Sequence, residues 1–160
     1  METLSVHPNP RPTLLTVLCI LTFIGSGIGA LGNLVAMFFA PFMDLFQPCM
    51  WDDAYSHLGN DAGALIAKQA LDMAQVVFDN FLAISLSKFI LFALSLVGAI
   101  MMFKMKRIGF YLYTAAQVGF LFVAPIFIGW NLFVSMALLF SGFFSALFIA
   151  LYAVNLKHMS

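Results

Sequence analysis

Leu14-Leu-Thr-Val-Leu-Cys-Ile-Leu-Thr-Phe-Ile-Gly-Ser-Gly-Ile-Gly-Ala-Leu-Gly-Asn-Leu-Val-Ala-Met-Phe-Phe39 is the stretch that decides the fold. It carries no charged residue, and it is longer than the about 20 apolar residues a helix needs to cross a bilayer. Gly25, Gly27, Gly29 and Gly32 fall in its middle. In water each would weaken a helix by about 1 kcal/mol relative to alanine. In lipid, small residues let a second helix approach closely. The stretch therefore reads as a membrane helix with a packing face, and the remaining chain as its partners.

The composition agrees. Of the 160 residues, 63% are hydrophobic and 9% charged, against about 45–50% and about 25% in soluble domains. So few polar groups cannot cover a soluble surface. The formal net charge is zero, which gives no long-range attraction to nucleic acid.

Working outward, residues 1–12 hold Pro8, Pro10 and Pro12 and read as a flexible N-terminus. The apolar run after them is too long for a signal-peptide core and reads as an uncleaved signal-anchor span over about 14–39. Pro41, Asp44 and Pro48 are expected to end this helix, leaving residues 41–61 irregular. Asn60 or Asp61 can cap the next helix, in which Lys68, Asp72, Gln75 and Asp79 form one polar stripe. That amphipathic helix either lies on the membrane surface or runs straight into the next span. Further spans are expected over about 81–103, 108–129 and 132–156, with Gly129-Trp130-Asn131 as a short turn. The expected fold is an all-α membrane protein: a four-transmembrane-helix bundle with an amphipathic helix in the first extracytoplasmic connection. No internal repeat of the inverted-transporter kind is visible.

Lys104, Lys106 and Arg107 crowd a very short loop, where positive charge marks the cytoplasmic side most reliably. Counting spans from it places both termini in the cytoplasm and segment 41–80 outside. All six aspartates fall in that segment. Trp130 then lies at the outer interface, and Phe110, Tyr111, Tyr113 and Tyr152 near the inner one.

Candidate sites are sparse. Gly25 and Gly29 make a GxxxG pair, joined by Gly32, and Gly142, Ala146 and Ala150 recur four apart in the last span. Ser141 and Ser145 do the same, and the third span offers Ala115 and Gly119. Helix packing is the expected use of these small residues. Lys88 is the one ionisable residue well inside a span; it either extends to the outer interface or supplies a functional charge facing the bundle. Gln117 and Asn33 are the other candidate functional polar groups, best suited to hydrogen bonds between helices.

The three histidines, His7, His57 and His158, lie outside the spans, so intramembrane haem ligation and a histidine proton relay are not expected. Cys49, Asp52, Asp53 and His57 match no zinc spacing. Cys19 and Cys49 are not expected to pair, one lying inside a span and the other beyond it. Gly25-Ser-Gly-Ile-Gly29 lacks the Lys-Ser/Thr ending of a phosphate loop. With no catalytic constellation visible, neither enzyme activity nor a cofactor is expected.

The run Arg11-Pro-Thr-Leu-Leu-Thr-Val-Leu-Cys-Ile-Leu-Thr-Phe-Ile-Gly-Ser-Gly27, together with Lys106-Arg-Ile-Gly-Phe-Tyr-Leu-Tyr-Thr114, resembles small uncharacterised four-span membrane proteins of two-membrane bacteria. The resemblance implies the bacterial inner membrane and brings no activity and no site residues with it. The leading functional expectation is a non-catalytic membrane protein acting through helix packing, as an accessory or scaffold subunit or a homo-oligomer. Its partners would be membrane lipid and protein within the membrane. The alternatives are a small oligomeric transporter or channel, and a lipid or hydrophobic-ligand binding protein.

Overall fold

The computed structural model describes residues 13–59 and 62–156, without the side chains at 43, 44, 46–49 and 62. The expectations for residues 1–12, the Asn60–Asp61 cap, His158 and the Cys49 side chain lie outside the described residues. Five helices follow in order: α1 (Thr13–Ser56), α2 (Ala62–Asp79), α3 (Phe81–Phe103), α4 (Ile108–Ile128) and α5 (Leu132–Asn155). Four of them contain segments long and apolar enough to cross a membrane: Thr13–Phe42, Phe81–Phe103, Ile108–Ile128 and Leu132–Asn155. The protein is an all-α, multi-pass membrane protein with four spans, and its span helices contact lipid.

The first helix departs from expectation. It runs 44 residues, about 66 Å at 1.5 Å per residue, roughly twice a hydrocarbon core. It passes through Pro41 and Pro48, where it was expected to stop. A proline removes one backbone donor and crowds the carbonyl four residues back. Tertiary contacts hold the helix beyond that point. The Trp51 and Phe78 rings meet edge to face at 5.4 Å, and the Tyr55 hydroxyl donates to Asp72 Oδ1 at 2.6 Å. Thus α2 packs back on the last turns of α1, and segment 41–56 is helix rather than an irregular connection.

Only Asn80 separates α2 from α3. The helical ladder continues through it, from Asn80 N to Val76 O and from Ile84 N to Asn80 O. Of the two alternatives for the amphipathic helix, the structure takes the second: α2 leads directly into the span.

The basic turn between α3 and α4 is a Schellman stop. Lys106 N donates to Met101 O and Met105 N to Met102 O. Met105 takes the left-handed conformation, φ 62°, where glycine is usual. Beside it, α3 and α4 come close enough for backbones to touch. A Cβ added at Gly98 would stand 2.8 Å from Tyr113 N, and one at Gly109 2.5 Å from Gly98 O. At the other end of α4, Gly129 turns the chain at φ 82°. Asn131 then caps α5, its Oδ1 accepting from Val134 N at 2.8 Å.

The helices are not equally embedded. α1 packs most extensively on α3, and α3 on α4. α5 lies at the edge: 6% of its most apolar window is buried, against 28% for α1. At the end carrying the basic turn, α5 closes on α1 through a core of Leu15, Leu18, Cys19, Met102, Tyr113 and Tyr152. Away from that end, cavities open between the helices.

Candidate functional site

Four helices each carry polar residues spaced four or seven apart, the separations that share a helix face. These are Thr22 and Ser26 on α1, Lys88 and Ser95 on α3, Tyr113 and Gln117 on α4, and Ser141, Ser145 and Tyr152 on α5. Most of them meet inside the bundle. The Thr22 and Tyr152 hydroxyls are hydrogen-bonded at 2.8 Å, and those of Ser26 and Ser95 at 3.0 Å. Ser145 Oγ donates to Gln117 Oε1 at 3.0 Å. Tyr113 stacks edge to face on Tyr152, ring centroids 4.9 Å apart. Each hydrogen bond joins two different helices. In an apolar medium an unpaired hydroxyl would be costly, so these pairs set which helix faces meet.

Two adjoining cavities lie along this polar seam. One, about 300 Å³, sits between α1 and α5 and is bordered by Gly25, Ser26, Ser95, Tyr113, Phe144 and Phe148 among others. The second, about 390 Å³, opens between α3, α4 and α5 and is bordered by Lys88, Ile84, Val123, Ala124, Ile128 and Ser141 among others. Phe92, Phe120, Gln117 and Ser145 border both. The Phe92 and Phe120 rings, 4.6 Å apart, stand at their junction. The result is one cleft with an apolar wall and a single line of polar groups.

Of the candidate polar residues, the structure brings Lys88 and Gln117 to the same cavity. Asn33 is elsewhere, its Nδ2 donating to the Gly29 carbonyl of its own helix at 2.7 Å. Among the candidate packing residues, Gly29 seats the Phe92 ring of α3, and a Cβ added at Gly142 would stand 3.9 Å from Leu121 Cδ2 of α4. Gly25 and Gly32 have no neighbouring atom within 4 Å of where a Cβ would stand. Ala146 is exposed.

The closest helix approach, at Gly98 and Gly109, was missed in the sequence. Neither glycine has a small residue four positions away on its own helix, so no repeating pattern marked the approach. The hydroxyl pairs were missed because Ser26, Ser95 and Thr22 look ordinary one at a time.

Outside the spans, the Asp53 carboxylate lies 3.4 Å from His57 Nε2, one turn along α1, with both side chains about four-fifths exposed. The Tyr55 hydroxyl holds its proton more tightly than usual, first because it donates to Asp72, then through lost solvation and the carboxylate's charge.

No known protein family, curated protein or solved structure matches the chain. Of the resemblance drawn from the sequence, the four-span, all-helical membrane shape is what stands.

Proposed function

We propose that this chain is a non-catalytic membrane subunit that works by packing its helices against a partner within the bilayer, as an accessory or scaffold subunit or as a homo-oligomer. One observation carries the reading. Leu21, Gly25, Ile28, Gly32, Val35 and Phe39 recur at alternating steps of four and three along α1, and all are exposed. Its glycines Gly25 and Gly32 are unfilled, whereas Gly29 on the adjoining face is occupied by Phe92. Leu21 and Gly25 also edge the cavity toward α5, whereas Gly32 borders neither cavity; a glycine on such an open stripe gives up side-chain contact, and close approach of a second helix recovers it. The mutual hydrogen bonding of the core hydroxyls supports a structural rather than a catalytic use for them.

The proposed setting is the bacterial inner membrane, with the Lys104–Arg107 turn and both termini in the cytoplasm. Purification in a mild detergent, with mass measured by light scattering, tests the packing role. An oligomer or a co-purifying membrane protein is expected, and Gly25→Leu with Gly32→Leu should release folded monomer. Wild-type protein that is monomeric and without a partner overturns the reading. Reporter fusions at the C-terminus and within 62–79 test the orientation.

A second reading, a small oligomeric transporter or channel, is favoured by the polar groups strung along the cleft from Lys88 to Thr22. Flux from liposomes that Lys88→Leu abolishes would select it.

A further inference from the structure

We propose that the cleft between α3, α4 and α5 binds one anionic, single-chain amphiphile, with its headgroup at Lys88 and its acyl chain passing Phe92 and Phe120. This site goes beyond the packing role and does not depend on it.

The charge comes first. Lys88 is the only cation bordering either cavity, and no acid borders them among the described residues. Its ammonium has no ion-pair partner among the described residues. Lys88 is exposed at the border of the cleft, where a cation without a counter-ion beside apolar walls draws in an anion.

Depth and direction agree with that. Lys88 lies seven positions into α3, about 10 Å along the helix from Phe81. Its side chain leans toward the N-terminus of α3, which carries the ammonium toward the same end. Val77 and Ile128 border the cleft there. Deeper in, the border turns to Phe92 and Phe120, and beyond them to Phe144 and Phe148. The deeper polar groups Gln117 and Ser145 are bonded to each other and leave the wall neutral. A molecule with a negative head near the membrane boundary and an apolar tail pointing to the middle matches this order. It is also how a lipid sits in the adjoining leaflet.

Size limits the choice. The cavity that Lys88 borders, about 390 Å³, is at the small end of ligand pockets, which span about 300–1,000 Å³. One chain fits this better than two. The cleft is also sealed at the basic-turn end by Tyr113, Tyr152 and Met102, all nearly fully buried, so a ligand would come in from the side or from the α2 end.

The test uses the full chain in a neutral detergent and three probes. They are lysophosphatidylglycerol, lysophosphatidylcholine with the same chain, and glycerol phosphate, which is the anionic head alone. Native mass spectrometry and competition with a pyrene-labelled analogue read the binding. Lysophosphatidylglycerol should bind about tenfold more tightly than lysophosphatidylcholine, the scale of one charge-assisted hydrogen bond. Lys88→Gln should bring the two lipids together, Lys88→Arg should keep the preference, and Lys68→Gln on exposed α2 should leave it unchanged. Ala124→Phe, which places a ring in the cleft and keeps the Lys88 charge, should weaken both lipids.

Equal binding of the two lipids by wild-type protein, or a preference that survives Lys88→Gln, overturns the headgroup assignment. Binding untouched by Ala124→Phe overturns the cleft. Glycerol phosphate binding as tightly as the lipid would show a free-anion site and overturn the amphiphile. Binding of none of the probes overturns the whole proposal. None of these results bears on whether the α1 stripe meets a partner.

Discussion

Gly98 and Gly109 face each other across α3 and α4, while a Cβ on Gly25 or Gly32 of α1 would meet no atom within 4 Å, Gly25 bordering the cavity toward α5. All four are helical glycines in apolar spans, and sequence alone treats them alike. The first pair removes two Cβ atoms so that backbones can touch: a Cβ on Gly109 would meet Gly98 O and Met102 N at 2.5 and 2.6 Å. The second pair leaves surface uncovered. The difference follows the architecture. The α3–α4 hairpin is closed by a turn of four residues, which forces its helices together at the basic end. α1 and α5, joined only through the rest of the chain, meet at that end and leave a cleft farther along. A small residue in a membrane helix therefore records a close approach only where a neighbour is present.

The sharpest way to break this comparison is to add a methyl group to each pair. Gly98→Ala and Gly109→Ala should each cost about 3 kcal/mol, since backbone rather than a mobile side chain stands in the way. Gly25→Ala and Gly32→Ala should change monomer stability by no more than about 0.5 kcal/mol. Reversible unfolding in mixed micelles measures both, and equal costs would erase the distinction.

Gly29→Leu should fall just below the first pair, at about 2 kcal/mol, because the obstructing Phe92 ring can turn into the adjoining cleft. Unfolding in the same micelles reads this, and a crystal structure would show the displaced ring.

The closed end can be sharpened next. Tyr152→Phe removes the hydrogen bond between the buried Thr22 hydroxyl and α5 and should cost about 1 kcal/mol. Ser95→Ala, at the Ser26 pair, should cost about 0.6 kcal/mol. In a double-mutant cycle, Thr22→Val should add little to Tyr152→Phe.

The smallest effect lies outside the spans, where α1 and α2 are joined by Tyr55 and Asp72. The folded-state pKa of Tyr55 is raised, so its contribution is complete below about pH 10, the ordinary tyrosine range. It is lost as pH rises through the raised value. Trp51 packs on Phe78 in the same contact, so its fluorescence, in a Trp130→Phe background, should change only above that pH. Tyr55→Phe should abolish the change while leaving α3 and α4 undisturbed.

Much of the fold was legible because its signals are local. Charge at Lys104–Arg107 and the Gly129–Asn131 turn mark the ends of spans, and twenty-odd apolar residues define a span wherever it packs. The candidate site was legible only in part. Lys88 and Gln117 stood out as polar residues in apolar runs, and both reach the same cavity. Ser26, Ser95, Thr22 and Tyr152 did not stand out, because their meaning depends on partners up to 130 positions away. The helix through Pro41 and Pro48 was misread for the same reason. A proline weakens the helix locally, and the compensation comes from Phe78 and Asp72 on another element.

By itself the sequence determined the class, the four spans and the positions of the two tight breaks at Lys104–Arg107 and Gly129–Asn131. These follow from hydropathy, charge and turn chemistry over short windows. Only the tertiary structure decided how far α1 extends, which glycines are filled, and that Lys88 borders a cleft with no acid among the described residues that line it. Each of those depends on which faces of distant helices meet, and in lipid that choice is made by packing and by the pairing of a few hydroxyls. A run of apolar residues alone does not encode it.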